Sequence, residues 1–204
     1  MKSKLRREII RKSIHILTGF LFVWLTFLFK DIDVIFWFAL ALLIPFGLFY
    51  LSVRWFSHTT IGRFAKNAIE REDGHHTNGV GGLTYAGGVL LLYLIFGFDP
   101  VVVLTSIVVF SVGDGFASLV GMKWGKHKLN ITGHVKTLEG FLGGFIAATL
   151  VSLLFIDLVT ALIVSGITML FELVGLRVRG REIPDNLYLP LIAGTVLYFI
   201  QIFL

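Results

Sequence analysis

The sequence contains no cysteine and little charge. Without cysteine, disulfides and thiolate metal sites are excluded, and nothing in the chain reports the redox state of its compartment. Charged residues make up 15% of the 204 residues, against about 25% in an ordinary soluble domain. Proline is scarce, and acidic residues number only 13. In their place the chain is 56% hydrophobic, with a mean hydropathy of +0.86. That apolar excess needs a solvent other than water. The apolar runs far exceed the ~10-residue alternating segments of a membrane barrel, so helices are expected. A net charge of +5 would suit nucleic acid, but its distribution points elsewhere and no nucleic-acid partner is expected.

A helix needs about 20 apolar residues to cross the hydrocarbon core. Seven segments qualify as candidates: 14–29, 34–53, 83–97, 101–121, 138–156, 158–175 and 187–204. Seventeen of the eighteen Lys and Arg residues fall in residues 1–13 or in the alternate loops 54–82, 122–137 and 176–186; only Lys30 does not. Lys and Arg mark cytoplasmic loops. The expectation is therefore an all-α polytopic bundle forming one integral membrane domain, with a cytoplasmic N-terminus. The basic N-terminus is followed by no small-residue cleavage site, so the first span reads as retained. The outer connections are short, and the inner loops are long and polar, so any chemistry belongs to the cytoplasmic face. Within 54–82, Trp55, Phe56, Ile61, Phe64, Ala65, Ala68 and Ile69 recur at helical spacing opposite Arg63, Lys66, Asn67, Glu70 and Arg71. This reads as an amphipathic helix in the interface, for anchoring or for guiding a lipid.

Asp114 is the strongest sign of function, because a carboxylate inside a span is costly and usually marks a site. Ser111, Asp114, Gly115, Ser118 and Gly121 share one small, polar helical face, suited to a wet cavity or to a packing seam. A basic exit follows, Lys123, Gly125, Lys126, His127 and Lys128, and then Lys136-Thr137-Leu138-Glu139-Gly140 opens the fifth span. A helix N-terminus with Lys and Thr nearby is a natural anion site. Gly113 and Asp114 close by complete what phosphoryl transfer requires: a metal ligand, a cation on the phosphates and positioned donors. The glycine spacing does not fit a Walker A loop. Gly140, Gly143, Gly144, Ala147 and Ala148 read as a close-packing face.

Glu172 and Asp185 flank the last inner loop at the membrane level of Asp114. Hard cations such as Mg²⁺ prefer oxygen ligands, so the three carboxylates form a candidate metal set, although Asp185 also suits a helix cap. Arg11, Lys12 and His15 lie within one turn at the first boundary. In the loop before the third span, Asn78 and its glycine neighbours could cradle a phosphate through backbone N–H groups, and His75-His76 suits a solvated loop better than a metal site.

In order along the chain, Arg11-Lys12-x-x-His15, Thr77-Asn78-Gly79 with Tyr85, Gly113-Asp114-x-x-Ala117-Ser118-x-x-Gly121, Gly125-Lys126-His127, Lys136-Thr137-x-Glu139-Gly140, Glu172, and Asp185-Asn186-Leu187 with Pro190 resemble the CTP-dependent polyprenol kinase family. That family includes dolichol kinase, phytol kinase and CTP-dependent diacylglycerol kinases. The resemblance runs from about residue 11 to 190. It implies transfer of the terminal phosphoryl group of CTP to the alcohol of a membrane lipid, with Mg²⁺ or another divalent cation. It implies that Asp114 with Glu172 or Asp185 holds metal and phosphates, and that Lys126 and Lys136 bind nucleotide phosphates, with Lys123, Thr137, Gly113 and Asn78 beside them. His15 or Glu139 would orient the lipid hydroxyl, and the base stays open between them. Arg11, Lys12, Ser118 and Asn186 are further site residues. The expected partners are nucleotide and lipid, with dolichol, a shorter prenol, phytol and diacylglycerol all open. The membrane is a prokaryotic plasma membrane or an ER-type one, and the oligomeric state is open, a homodimer included. A CDP-lipid synthase is the alternative enzyme. A transporter fits less well, because the ionisable residues sit at one edge rather than at the midplane.

Overall fold

The computed structural model describes residues 2–55, 80–131, 134–178 and 181–203. Among them are seven helices: α1 (Lys2–Phe29), α2 (Asp33–Trp55), α3 (Val80–Phe96), α4 (Pro100–Trp124), α5 (Leu138–Ser152), α6 (Leu158–Val174) and α7 (Asp185–Phe203). Each falls on one of the seven apolar segments. Three stretches, Glu8–Phe29, Pro100–Trp124 and Asp185–Phe203, are long and apolar enough to cross a membrane; the other four apolar helices are shorter. The amphipathic segment beyond Trp55, the His pair and Asn78 lie outside the described residues.

Two features go beyond the sequence reading. The basic N-terminus is not separate from the first span, because α1 runs through it from Lys2; Lys and Arg are good helix formers, and no glycine interrupts before Gly19. The inner loops also carry strands. β1 (Lys128–Ile131) pairs antiparallel with β2 (His134–Thr137), with Leu129 opposite Lys136, and β3 (Arg177–Val178) pairs with β4 (Arg181–Glu182). β2 leads straight into α5, and the Leu138 N–H donates to the His127 carbonyl at 3.0 Å.

The turns at the other end are short and capped. Lys30 closes the first in the left-handed region, φ 53°. Asp99 accepts from the N–H groups of Val101 and Val102, with Pro100 opening α4. Asp157 caps α6 in the same way. Such caps satisfy backbone donors that a helix start leaves free.

α4 is the axis of the bundle, buried from Val102 to Gly115 and again at Ala117. Small residues let its neighbours approach. A Cβ on Gly140 would lie 2.7 Å from the Ala117 carbonyl, and one on Gly144 2.7 Å from the Gly113 carbonyl. Gly19 meets Ser111, and Gly115 meets Ile16, each at 2.6 Å from the missing Cβ. These contacts run antiparallel for α1–α4 and α4–α5. α3 and α7 lie parallel, with Gly88 against Asn186 and Gly194 against Leu92 and Phe96. Backbone contact through glycine is how apolar helices associate where burial from water cannot drive them together. Outward-facing Leu17, Trp24, Trp37, Leu94, Leu150 and Phe199 leave an apolar exterior, which is that of a membrane protein.

The Gly140 contact is with a carbonyl, which cannot turn aside as a side chain would. Gly140→Val should therefore destabilise the bundle by about 1–3 kcal/mol, read as a lowered melting temperature in detergent. Gly81→Ala, whose Cβ meets nothing within 4 Å, should leave it unchanged.

Candidate active site

The alternation of the helices brings the first half of α1, the start of α3, the end of α4, the start of α5, the end of α6 and the start of α7 to one end of the bundle. Lys12 and His15 are three residues apart and so share a face of α1. That face meets α4. Lys12 Nζ lies 2.5 Å from Asp114 Oδ2, and His15 Nε2 lies 3.5 Å from the same oxygen. Lys12 and Asp114 are 4% and 1% exposed. Asp114 Oδ1 and His15 Nε2 are buried with no hydrogen-bond partner.

The imidazole is held edge-on against two rings, Tyr85 at 4.7 Å and Phe110 at 5.1 Å between centroids. Tyr85 is fixed in turn by a 3.0 Å hydrogen bond between its hydroxyl and that of Ser111. His15 is therefore held between two aromatic rings, with Nε2 3.5 Å from the carboxylate.

A second buried pair lies close by. The Lys136 ammonium donates to Glu172, which is 3% exposed. Strand alternation turns Lys136 inward while its neighbour Val135 stays exposed. Burial pushes the Lys136 ammonium down, but the Glu172 and Asp185 carboxylates outweigh it and hold the group above the usual lysine range. Lys136 is therefore cationic throughout the neutral pH range. Asp114 is also near enough to act on that charge, which ties the two pairs into one electrostatic unit.

The remaining expected site residues divide between this centre and its surroundings. Asp185 is within electrostatic reach of Arg11, Lys136 and Glu172 and accepts from the Asn186 N–H. The Asn186 amide donates to the Gly81 carbonyl at 3.0 Å and so ties α7 to α3. The Arg11 guanidinium pairs with Glu8. Glu139 is spent elsewhere, because it accepts from the His127 backbone N–H and meets His127 Nδ1 at 2.6 Å, fastening the turn after α4. The Thr137 hydroxyl caps α5 through the Gly140 N–H and wedges against Gly121 and Gly125. Gly113 packs against Met169 and Ala148. Ser118 is half-buried, while Lys123, over the Trp124 ring at 4.3 Å, and Lys126 are exposed.

The three carboxylates expected to share a metal are not gathered into one ligand set. Among the described residues no group of three or more His, Cys, Asp or Glu could hold an ion, and Asp114 and Glu172 each take a lysine. Sequence reasoning also missed the Tyr85–Ser111–Phe110 grip on His15. Its signal was present in the polar α4 face carrying Ser111, but the partners lie on α1 and α3, far off in sequence.

A helical membrane-type bundle with a buried lysine–carboxylate–histidine centre is thus the class defined by fold and site. The chain belongs to one family with Uncharacterized protein MJ1137 of Methanocaldococcus jannaschii, to which it is 32% identical over 191 residues, covering 94% of this chain and 93% of that one. It is also similar to Phytol kinase from Synechocystis sp., 36% identical over 97 residues, or 45% of this chain and 41% of that protein. This second similarity supports a prenol kinase-like relationship. No family model and no solved structure matches the chain.

Removing one partner of a buried ion pair strands the other. Asp114→Asn should cost about 3–5 kcal/mol in a reversible unfolding titration. Lys12→Met added to it should recover most of that loss, because no buried ammonium then lacks a counter-charge.

Proposed function

We propose that this protein is a multi-pass membrane kinase that transfers the terminal phosphoryl group of CTP to the hydroxyl of a polyprenol or a related lipid alcohol. The observation that carries this reading is the similarity to a phytol kinase, in a chain whose buried charges converge at one end of an apolar bundle. Segregation of Lys and Arg supports seven crossings with this end in the cytoplasm, where nucleotide is available. The lipid has a short path to it: Ile14 and Leu17 on α1 face outward, within two turns of Lys12 and His15.

In this reading Lys136 and Lys12 meet nucleotide phosphates, with Lys126 and Lys123 drawing the anion in from the exposed turn. Asp114 would hold Mg²⁺, with Glu172 or Asp185 beside it. The residues fit that ion in one specific respect: Asp114 Oδ1 is buried without a partner. Mg²⁺ in kinase sites typically uses one or two carboxylates, waters and substrate phosphates rather than a protein cage. When bound, it neutralises charge on the transferring group. The lipid oxygen bonds to the γ-phosphorus as the bond to the β,γ-bridging oxygen breaks, and CDP leaves. The hydroxyl proton passes to His15 Nε2, which is buried without a hydrogen-bond partner, since Glu139 is engaged with His127. A kinase of this kind is mostly positioning and electrostatics, which a rigid buried centre supplies.

The test is incubation of detergent-purified protein with γ-labelled CTP, Mg²⁺ and a panel of dolichol, short prenols, phytol and diacylglycerol. Label should enter one of these lipids, with CDP as co-product, and Asp114→Asn should lower the rate at least ~10²-fold. Release of pyrophosphate when phosphatidic acid or its archaeal counterpart is supplied, with no labelled lipid alcohol, would replace the kinase with a CDP-lipid synthase.

A further inference from the structure

Asp114 and Glu172 each already hold a lysine, and this constrains what can bind. A divalent ion arriving alone at Asp114 must either displace the Lys12 ammonium, 2.5 Å from the same carboxylate and only 4% exposed, or sit against its positive charge. A nucleotide arriving alone must draw the lysines onto its phosphates, leaving Asp114 and Glu172, 1% and 3% exposed, without counter-charge. Either event strands a buried charge, which is strongly unfavourable. Arrival of both strands none, because the lysines exchange carboxylate for phosphate while the carboxylates exchange ammonium for metal.

We propose that the Lys12–Asp114 and Lys136–Glu172 pairs are internal placeholders for a metal–nucleotide complex, so that metal and nucleotide bind with strong mutual dependence and neither binds well alone. The inference rests on the nucleotide-kinase reading and adds how the site admits its ligand. Two observations beyond the pairs themselves support it. Asp114 Oδ1 and His15 Nε2 are buried and unpartnered beside the Lys12 contact, so the carboxylate keeps a free oxygen for a second cation. Lys136 is 30% exposed at its side chain while Glu172 is 3% exposed, so the lysine can be reached and drawn away from outside.

A placeholder also keeps the charges balanced before any ligand arrives. With no ligand the four charges compensate one another, and the bundle closes without an unpaired ion. Exchange then makes the apo site selective, since a free metal ion and a metal-free nucleotide both meet a cost that the complex does not.

Isothermal titration of the full-length protein tests this with three probes: Mg²⁺ alone, CTP in EDTA, and CTP with saturating Mg²⁺. Mg²⁺ should tighten CTP binding roughly 5–150-fold, and CTP should tighten Mg²⁺ binding by the same factor. Lys136→Gln, at the more exposed lysine, should tighten binding of Mg²⁺ alone at least about fivefold, because Glu172 loses its internal cation. Lys12→Gln should do the same at Asp114. Equal CTP affinity with and without Mg²⁺ would overturn the exchange while leaving the kinase reading in place. Unchanged Mg²⁺ affinity in a folded Lys136→Gln protein would also overturn it. No binding of CTP with Mg²⁺ by folded wild-type protein would overturn both.

Discussion

The Lys12–Asp114 ion pair is the constraint around which the structure is arranged. Taking a carboxylate and an ammonium out of water costs several kcal/mol per ion, and an apolar pair of similar volume often serves stability as well or better. The pair also fixes the relation of α1 to α4. Lys12 can reach Asp114 only because Gly115 accepts Ile16 and Gly19 accepts Ser111 along the same crossing. The His15 ring, gripped by Tyr85 and Phe110, then brings a second nitrogen to the same carboxylate.

The second pair is set against the same helix, α4, by way of α5. Gly140 and Gly144 bring α5 into backbone contact with α4, and the β1–β2 hairpin ends directly at the α5 cap. Lys136, the residue before that cap, is thereby aimed at Glu172 on α6. Glu139 and Thr137 serve this placement: one fastens the turn at His127, and the other closes the first turn of α5 against Gly121 and Gly125. Both residues thus help hold a lysine in position.

Much of this was legible in the sequence, for identifiable reasons. The helices follow long apolar runs, a strong one-dimensional signal, and Asp114 and Glu172 stand out because charge inside such runs is rare. The packing role of Gly140 and Gly144 was readable from their spacing. The hairpins were not, because strands of four and of two residues in basic, glycine-bearing loops carry too little periodicity. Nor were the pairings. Lys12 with Asp114 and Lys136 with Glu172 are matched by the way helices pack, and nothing local in the chain says which lysine meets which carboxylate. The expectation of a shared carboxylate set placed three acids at one level without the lysines that occupy two of them.

The account holds that the polarity of the Lys12–Asp114 pair matters to chemistry and not only to packing. The most direct measurement is lipid phosphorylation by the charge-swapped protein, Lys12→Asp with Asp114→Lys, on material shown to be folded and monodisperse. Such a protein keeps an ion pair between α1 and α4 but moves the carboxylate away from the end of α4. The account predicts melting nearer to wild type than that of Asp114→Asn, with phosphoryl transfer still lost. A folded swap variant that phosphorylates lipid at the wild-type rate would contradict it.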